Sequence, residues 1–238
     1  MENKKIRIFK NSSTEGPGIL ESLLVNRNLR YTITDLQESV SFPSNLEDTA
    51  AVVILGGPDS ANDKTDKIIK ELVFIDSVLR RSIPYLGICL GLQLMVKAGG
   101  GRVVKNPIKE TGFRDPENNF FLVNLTSVGI SDPLFTDLGN EFRVFHLHGE
   151  TVEPAPVMSL LATGKFCRNQ VVKSGDCAYG IQSHFELTPA MFEDWITIDP
   201  DLLKLESGDL RRDFLLMQKE YTETGNILFN NFLKIAGF

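Results

Sequence analysis

The first hundred residues alternate short apolar runs with a helical periodicity, and this alternation limits the fold more than any other feature of the chain. Strand-like runs occupy residues 6–9, 31–34, 50–55 and 84–88. Between the last two runs, the apolar residues at 68, 72, 75 and 79 lie on one face of a helix. Such crossovers connect parallel strands. The pattern therefore predicts an α/β fold with a doubly wound, mostly parallel sheet flanked by helices.

After residue 101 the apolar runs become shorter and are separated by turn residues. Extended pieces at residues 101–104, 120–125, 142–148 and 159–163 predict an antiparallel extension of the same sheet. Apolar positions between 210 and 235 then return to helical spacing. Because no repeat or low-complexity linker divides the chain, we expect one domain over residues 1–238. Its catalytic core would cover about 6–196, and a helical extension about 197–238.

Charge and cysteine content exclude several classes of function. The net charge of −6 offers no basic face for phosphate, so we expect no nucleic-acid partner. Three cysteines without metal-type spacing suggest neither a disulfide framework nor a zinc site. The amino terminus lacks the apolar stretch of a signal peptide, and no segment is long enough for a membrane span. These features predict a cytoplasmic protein without a membrane partner.

The segment from 84 to 101 joins an apolar strand to a helix through the sequence Gly-Ile-Cys-Leu-Gly. Gly87 and Gly91 permit a tight strand-to-helix turn that presents Cys89 at the amino terminus of the helix. The helix dipole and free N–H groups there favour the thiolate, and the Leu90 N–H can face a developing oxyanion. A buried cysteine that only packs is the alternative.

Two further segments supply groups that a nucleophilic cysteine needs. A second apolar strand ends in Gln-Ser-His-Phe-Glu, in which His184 and Glu186 are two residues apart and can share one side of an extended chain. An imidazole can take the thiol proton, and a carboxylate can orient the imidazole. A third strand opens into Gly56-Gly57-Pro58, a turn that can aim backbone amides into a site.

Together, the Gly-Gly-Pro turn, the cysteine turn and the His-x-Glu pair resemble the class I glutamine amidotransferases, in the order expected for that family, over residues of roughly 6–196. The resemblance implies a flavodoxin-like fold. It also implies a triad in which Cys89 attacks the glutamine amide, His184 is the base, and Glu186 orients His184. Gly57 and Leu90 would form the oxyanion hole. Phe185 stands where the family's Gln-Phe-His-Pro-Glu motif has proline.

The resemblance also implies the binding partners. Gln93, His148 and Gly149 match the part of the family that holds the α-amino and α-carboxylate groups of glutamine. The similarity is greatest to the amidotransferase half of GMP synthase and its free-standing relatives. Because the chain contains no recognisable Ser-Gly-Gly-x-Asp-Ser nucleotide loop, it shows no ammonia acceptor site of its own, and a separate synthetase subunit could receive the ammonia. We expect no cofactor and no metal. A homo-oligomer is compatible with the sequence, which does not decide the oligomeric state.

Several alternatives remain at this point. The chain could instead be a free-standing hydrolase of γ-glutamyl compounds or a transferase to amines. A cysteine-containing α/β-hydrolase would place its acid before its histidine, whereas Glu186 follows His184 here. A non-catalytic homologue and a metal protein using His146 and His148 are the remaining alternatives.

Overall fold

A computed structural model describes residues 4–238, so the first three residues of the expected domain lie outside the described residues. Its centre is a nine-stranded sheet in which five strands run parallel. In spatial order these are β2 (Tyr31–Asp35), β1 (Lys5–Lys10), β3 (Thr49–Ile54), β4 (Tyr85–Ile88) and β11 (Ala178–Ile181). The four predicted strands of the first hundred residues are all confirmed, and β11 joins them beside β4.

Four antiparallel strands continue the sheet beyond β11, so the predicted antiparallel extension exists, although the strand at 171–174 was not among the predicted pieces. They are β10 (Val171–Ser174), β9 (Ser159–Gly164), β6 (Leu122–Leu125) and β7 (Glu141–Arg143). The prediction was wrong for two other pieces, because β5 (Arg102–Gly112) and β8 (His146–Glu153) pair with each other in a separate two-stranded sheet. The run at 142–148 is therefore divided between two sheets. Apolar alternation predicts an extended chain but does not identify the strand with which it pairs.

Helices cover both faces of the large sheet, and the helical face predicted between β3 and β4 is confirmed. The helices are α1 (Gly18–Asn26), α2 (Asp66–Arg80), α3 (Leu90–Ala98), α4 (Ser127–Ile130), α5 (Pro189–Ile198) and α6 (Ser207–Ile235), with short 3₁₀ turns at Pro133–Phe135 and Leu202–Lys204. The apolar positions between 210 and 235 belong to the single 29-residue helix α6. Within residues 4–238, no helix has the length and apolar character needed to cross a membrane.

In the parallel half, β3, β4 and β11 are buried on both faces, whereas the edge strand β2 is partly exposed. In β1, Ile6 and Ile8 face the core beneath α1 and α6, whereas Phe9 faces the core beneath α2 and α3. β3 alternates in the same way and is buried along its whole length. Burial on both faces is typical of parallel sheets covered by helices. The carboxyl ends of β1, β3, β4 and β11 consequently meet at one edge, where the candidate site lies.

Candidate active site

A tight turn between β4 and α3 holds Cys89 at the amino terminus of α3. The Cys89 backbone has φ 51° and ψ −106°, a positive φ that a residue with a side chain rarely adopts. A Cβ on Gly87 would lie 2.4 Å from the carbonyl of Gly91, and a Cβ on Gly91 would lie 2.2 Å from the Ile54 carbonyl oxygen. Both positions therefore require glycine, as the sequence predicts. The turn lifts the thiol out of the sheet and towards a pocket.

Cys89 is 6% exposed, and its thiol contacts groups from other strands. The thiol donates to the Leu147 carbonyl oxygen, with Sγ 3.8 Å from that atom. The Gln182 side-chain amide donates to Sγ over 3.6 Å. His184 lies close enough for its charge to be coupled to that of Cys89. The predicted nucleophile and the predicted base are thus brought together by β4 and the chain that follows β11.

His184 and Glu186 share one face of the chain after β11, as their spacing predicts. His184 Nδ1 is 2.7 Å from Glu186 Oε1, and the second carboxylate oxygen accepts a hydrogen bond of 2.8 Å from the Phe185 N–H. Glu186 is 1% exposed, so both of its oxygens are held by the protein. Since a carboxylate accepts, His184 carries a proton on Nδ1 and directs Nε2 away from Glu186. Among residues 4–238, His184 Nε2 has no hydrogen-bond partner.

Packing fixes the orientation of His184 from both the backbone and the ring. The His184 N–H donates to the Phe145 carbonyl over 3.0 Å, and its own carbonyl accepts from the Tyr221 hydroxyl over 2.8 Å. The Trp195 ring stands edge-on to the imidazole, with ring centroids 5.1 Å apart. Phe185 is buried against Tyr221, on the side away from the pocket. The phenylalanine that replaces the family's proline is therefore a core residue, and α6 supports the site through Tyr221.

Charge favours a protonated imidazole in this environment. Burial disfavours the imidazolium, but the Glu186 carboxylate and the Cys89 side chain more than offset it, so the pKa of His184 lies well above its usual value. A cationic imidazole favours negative charge on a neighbouring group, and a thiolate is the nucleophilic form of cysteine. The pair is thus arranged for nucleophilic chemistry followed by proton donation from His184.

The pocket in front of Cys89 has a volume of about 310 Å³. Every residue that the sequence predicted for the site lines it except Glu186, which lies behind His184. The lining residues among those predicted are Gly57, Cys89, Leu90, Gln93, His148, Gly149 and His184. A Cβ on Gly57 would lie 2.5 Å from the Asn11 Cβ, so the Gly-Gly-Pro turn packs closely on the end of β1. The fold therefore collects motifs from distant parts of the chain around one cavity.

Gln93 and His148 both hold the backbone of β8 at the pocket wall. The Gln93 side-chain amide and the His148 Nδ1–H each donate to the Glu150 carbonyl, over 3.3 Å and 3.0 Å. His148 Nε2 shares a hydrogen bond of 2.8 Å with Glu110 Oε2. The ring of His148 is therefore engaged by the protein, and the neighbouring Gly149 presents backbone to the cavity.

Beside this wall, His146 and His148 converge on a carboxylate that sequence reasoning missed. Their ring nitrogens and a carboxylate oxygen of Glu110 lie within 4.8 Å of one another, and all three residues are buried. The Gln170 side-chain amide also donates to Glu110, over 3.2 Å. Burial, and then the neighbouring His148 and His184, hold the pKa of His146 well below its usual value. The hydrogen bond between His148 and Glu110 joins β8 to β5, and His146 Nε2 lies 3.6 Å from the same carboxylate oxygen.

The pocket residues not predicted from the sequence include four charged side chains discussed here, Glu15, Lys109, Asp199 and Asp201. Lys109 and Asp201 form an ion pair at the rim. Glu15 lies in the loop after β1, at the edge where the parallel strands end. Ligands of open α/β sheets bind at this edge, so the position of Glu15 directly after a parallel strand could have predicted it as a pocket residue. The remaining three residues come from β5 and the segment after α5, which no local pattern placed near the cysteine.

The fold and the pocket define an α/β protein with a cysteine, a histidine and a carboxylate at the carboxyl edge of its sheet. The family model described as glutamine amidotransferase class-I matches residues 19–197, so the chain belongs to that family. The family expected from the three motifs is thereby confirmed.

Named relatives agree with this assignment, and a solved structure shares the fold. The chain is 25% identical to YfeJ of Salmonella typhimurium, a glutamine amidotransferase-like protein, over 81% of this chain and 80% of the relative. It is 34% identical to the glutamine-hydrolysing GMP synthase of Borrelia garinii over 62% of this chain, but that match spans only 25% of the synthase. A glutamine amidotransferase structure from Thermotoga maritima superposes with a TM-score of 0.87 at 24% identity, covering 99% of both chains.

Proposed function

We propose that this protein hydrolyses the side-chain amide of glutamine, or of a related γ-glutamyl compound, through a thioester on Cys89. The products with glutamine are glutamate and ammonia. The observation that carries the proposal is the arrangement in one pocket of a thiol at a helix amino terminus and an imidazole whose Nδ1 is held 2.7 Å from Glu186. Membership of the glutamine amidotransferase family supports the same chemistry.

Each group has a defined role in this reaction. The Cys89 thiolate attacks the amide carbon, and the carbonyl oxygen gains negative charge that the N–H groups of Gly57 and Leu90 stabilise. The C–N bond then breaks as His184 gives its Nε2 proton to the departing nitrogen. A water molecule, deprotonated by His184, releases glutamate from the thioester. Glu186 keeps His184 in the tautomer and orientation that both steps need.

The far end of the pocket is proposed to hold the amino-acid part of the substrate. Gln93 and His148 fix the backbone of β8, so that Gly149 can contact the α-amino and α-carboxylate groups. Lys109 at the rim, which is paired with Asp201, is the basic side chain that the α-carboxylate would share with Asp201. Rigid support of this kind lowers the entropy lost when the substrate binds.

Two arrangements of the whole enzyme fit this chemistry. The chain is 32% identical to one subunit of the glutamine-hydrolysing GMP synthase of Natronomonas pharaonis, over 65% of this chain and 74% of the relative. The name of that relative indicates a separate partner. We therefore propose either an amidotransferase subunit that delivers ammonia to a synthetase or a free-standing γ-glutamyl hydrolase. In both, residues 6–196 form the catalytic core of a single domain, and the extension after 196 contributes through Tyr221 of α6.

Release of ammonia and glutamate from glutamine tests the proposal. Wild-type protein is compared with Cys89→Ala, and Cys177→Ala is the matched control because Cys177 lies at the opposite end of β11 and contacts the Ser82 carbonyl. We expect turnover in the wild type and in Cys177→Ala but not in Cys89→Ala. Undiminished hydrolysis by Cys89→Ala would refute the assignment.

The same proteins distinguish the two arrangements. Turnover of glutamine or a γ-glutamyl compound by the isolated protein indicates a free-standing hydrolase. A subunit that needs its synthetase does not hydrolyse glutamine when isolated. A glutamine-analogue electrophile should nevertheless label its Cys89, which mass spectrometry of the modified peptide detects. Absence of both turnover and labelling contradicts the proposed chemistry.

A further inference from the structure

A second cavity adjoins the catalytic pocket and shares part of its wall. It has a volume of about 180 Å³ and shares Glu15, Pro58, Leu147, Asp199 and Pro200 with that pocket. This volume is several times the roughly 30 Å³ that one water-sized molecule occupies, so it exceeds what departing ammonia needs. We call this cavity the side lobe. Trp195, which lines the side lobe, stands edge-on to the His184 imidazole, the group that protonates the departing nitrogen in the proposed reaction.

The walls of the side lobe combine apolar surface with two carboxyl groups. Trp195 and Ile198 of α5 form its apolar wall, and the Trp195 N–H is already used in a 3.0 Å hydrogen bond to the Thr14 carbonyl. Glu15 and Asp199 provide negative charge at the junction with the catalytic pocket. An apolar channel with charge at fixed points suits an alkyl chain that carries a cationic group.

Glu15 is a carboxyl group without a partner. Its Oε2 is inaccessible to solvent and has no hydrogen-bond partner within the described part of the chain. Gly56 leaves the space for it, since a Cβ there would lie 2.4 Å from Glu15 Oε2 and 3.1 Å from His184 Cε1. The carboxyl group and the imidazole edge thus flank the same point. An inaccessible carboxylate oxygen without a partner is costly unless a cation or donors compensate it, so this half-buried carboxyl group favours a ligand that supplies them.

The groups that face Glu15 do not fully compensate the charge of its carboxylate. Burial raises the pKa of Glu15 to about 7, and the charges of Glu186 and Asp199 act in the same direction, while His184 and Lys67 oppose them. Lys67 is itself paired with Asp59 at 2.6 Å. A cation from the substrate would bind the ionised form of Glu15 and lower this pKa.

We propose that the side lobe is a leaving-group subsite that selects γ-glutamyl amides of diamines, with Glu15 and Asp199 binding the distal ammonium group. This inference rests on the proposed hydrolysis and specifies its substrate class. The Cys89 thiolate displaces the amine, His184 protonates the departing nitrogen, and the diamine leaves through the side lobe. Anionic leaving groups, such as those of γ-glutamyl peptides, meet repulsion from the same two carboxylates.

Three amides of the glutamate side chain, each with a four-carbon leaving amine, test the charge preference. Their leaving amines carry a distal ammonium (4-aminobutyl), a methyl (butyl) or a carboxylate (3-carboxypropyl). We expect kcat/KM to fall in that order, with the aminobutyl amide favoured over the butyl amide by roughly tenfold, the range of a hydrogen bond to a charged group. The preference should increase as the pH rises through the Glu15 pKa of about 7, because only the carboxylate attracts the cation. Equal values for the three amides overturn the inference.

Glu15→Gln should bring the ratio between the aminobutyl and butyl amides close to one. Asp194→Asn, which removes a negative charge from the exposed face of α5, is the matched control and should keep the wild-type ratio. If the ratio is unchanged in Glu15→Gln, or if kcat/KM falls equally for both amides, Glu15 does not recognise the ammonium group of the leaving amine. Should Glu15→Gln fail to fold, the comparison of the three amides with wild-type protein decides alone.

Calorimetric binding of the intact amides to Cys89→Ala separates this inference from the proposed function. Tighter binding of the aminobutyl amide supports the subsite even when a partner is needed for turnover. If the protein hydrolyses glutamine but does not distinguish the three amides by charge, only the leaving-group subsite is refuted. If the protein shows no hydrolysis, no labelling of Cys89 and no binding of the amides, both the proposed function and the subsite are refuted.

Discussion

Replacing Glu71 by glutamine should stabilise the protein in a strongly pH-dependent way. Glu71 lies in α2 with 0% exposure, and its Oε1 accepts a hydrogen bond of 2.9 Å from the Asn11 side-chain amide. Its Oε2 has no partner among residues 4–238. Burial raises its pKa from 4.5 to about 7, despite the opposing effects of Asn11 and Lys67. The folded protein therefore holds a proton that the unfolded chain has already released.

The sign and size of the effect follow from this difference. Below pH 4.5 both states are protonated, and the raised pKa has no effect on stability. As the pH rises from 4.5 to about 7 the unfolded state ionises first, and folding loses about 3 kcal/mol at about 1.4 kcal/mol per pKa unit. Glutamine keeps an acceptor for Asn11 and does not titrate. Between pH 5 and pH 8, Glu71→Gln should therefore gain about 2.5 kcal/mol relative to wild type.

Urea unfolding at pH 5 and pH 8, followed by circular dichroism, measures this gain through the change in the free energy of unfolding. Glu38→Gln is the control, because Glu38 is an exposed carboxylate near the same edge of the sheet. A difference between Glu71→Gln and wild type that is the same at both pH values would refute the reasoning, since it would mean that Glu71 is ionised in the folded protein at pH 5.

The other predictions concern the site. His184→Asn should lower kcat for glutamine by at least about 10³-fold, and Glu186→Gln should lower it by less, because an orienting carboxylate is more dispensable than the base. Steady-state ammonia release measures both effects. Equal, negligible effects would contradict the assignment. Gly87→Ala should lower the free energy of unfolding, measured in urea, by roughly 3 kcal/mol, because its Cβ meets Gly91 backbone at 2.4 Å. Tyr221→Phe should cost about 1 kcal/mol in thermal unfolding by leaving the His184 carbonyl without its 2.8 Å donor; an unchanged Tm would argue against that contact.

The sequence by itself determined the elements that depend on local pattern. The strand runs, the helical face of α2 and the glycines around Cys89 could be predicted because their spacing reflects backbone geometry. The pair His184 and Glu186 could be predicted because side chains two residues apart on an extended chain point the same way. The three motifs, taken together, also predicted the glutamine amidotransferase family.

Only the tertiary structure decided which distant groups meet. The pairing of β5 with β8 could not be predicted, because alternation does not specify a partner strand. Glu15 and Asp199, which lie far apart in the chain, enter the pocket because the ends of β1 and α5 lie at the same edge of the sheet. Burial and opposing charges then set the pKa of Glu15 and Glu71 at about 7. Such properties arise from neighbours in space, and the chain order of the residues does not contain them.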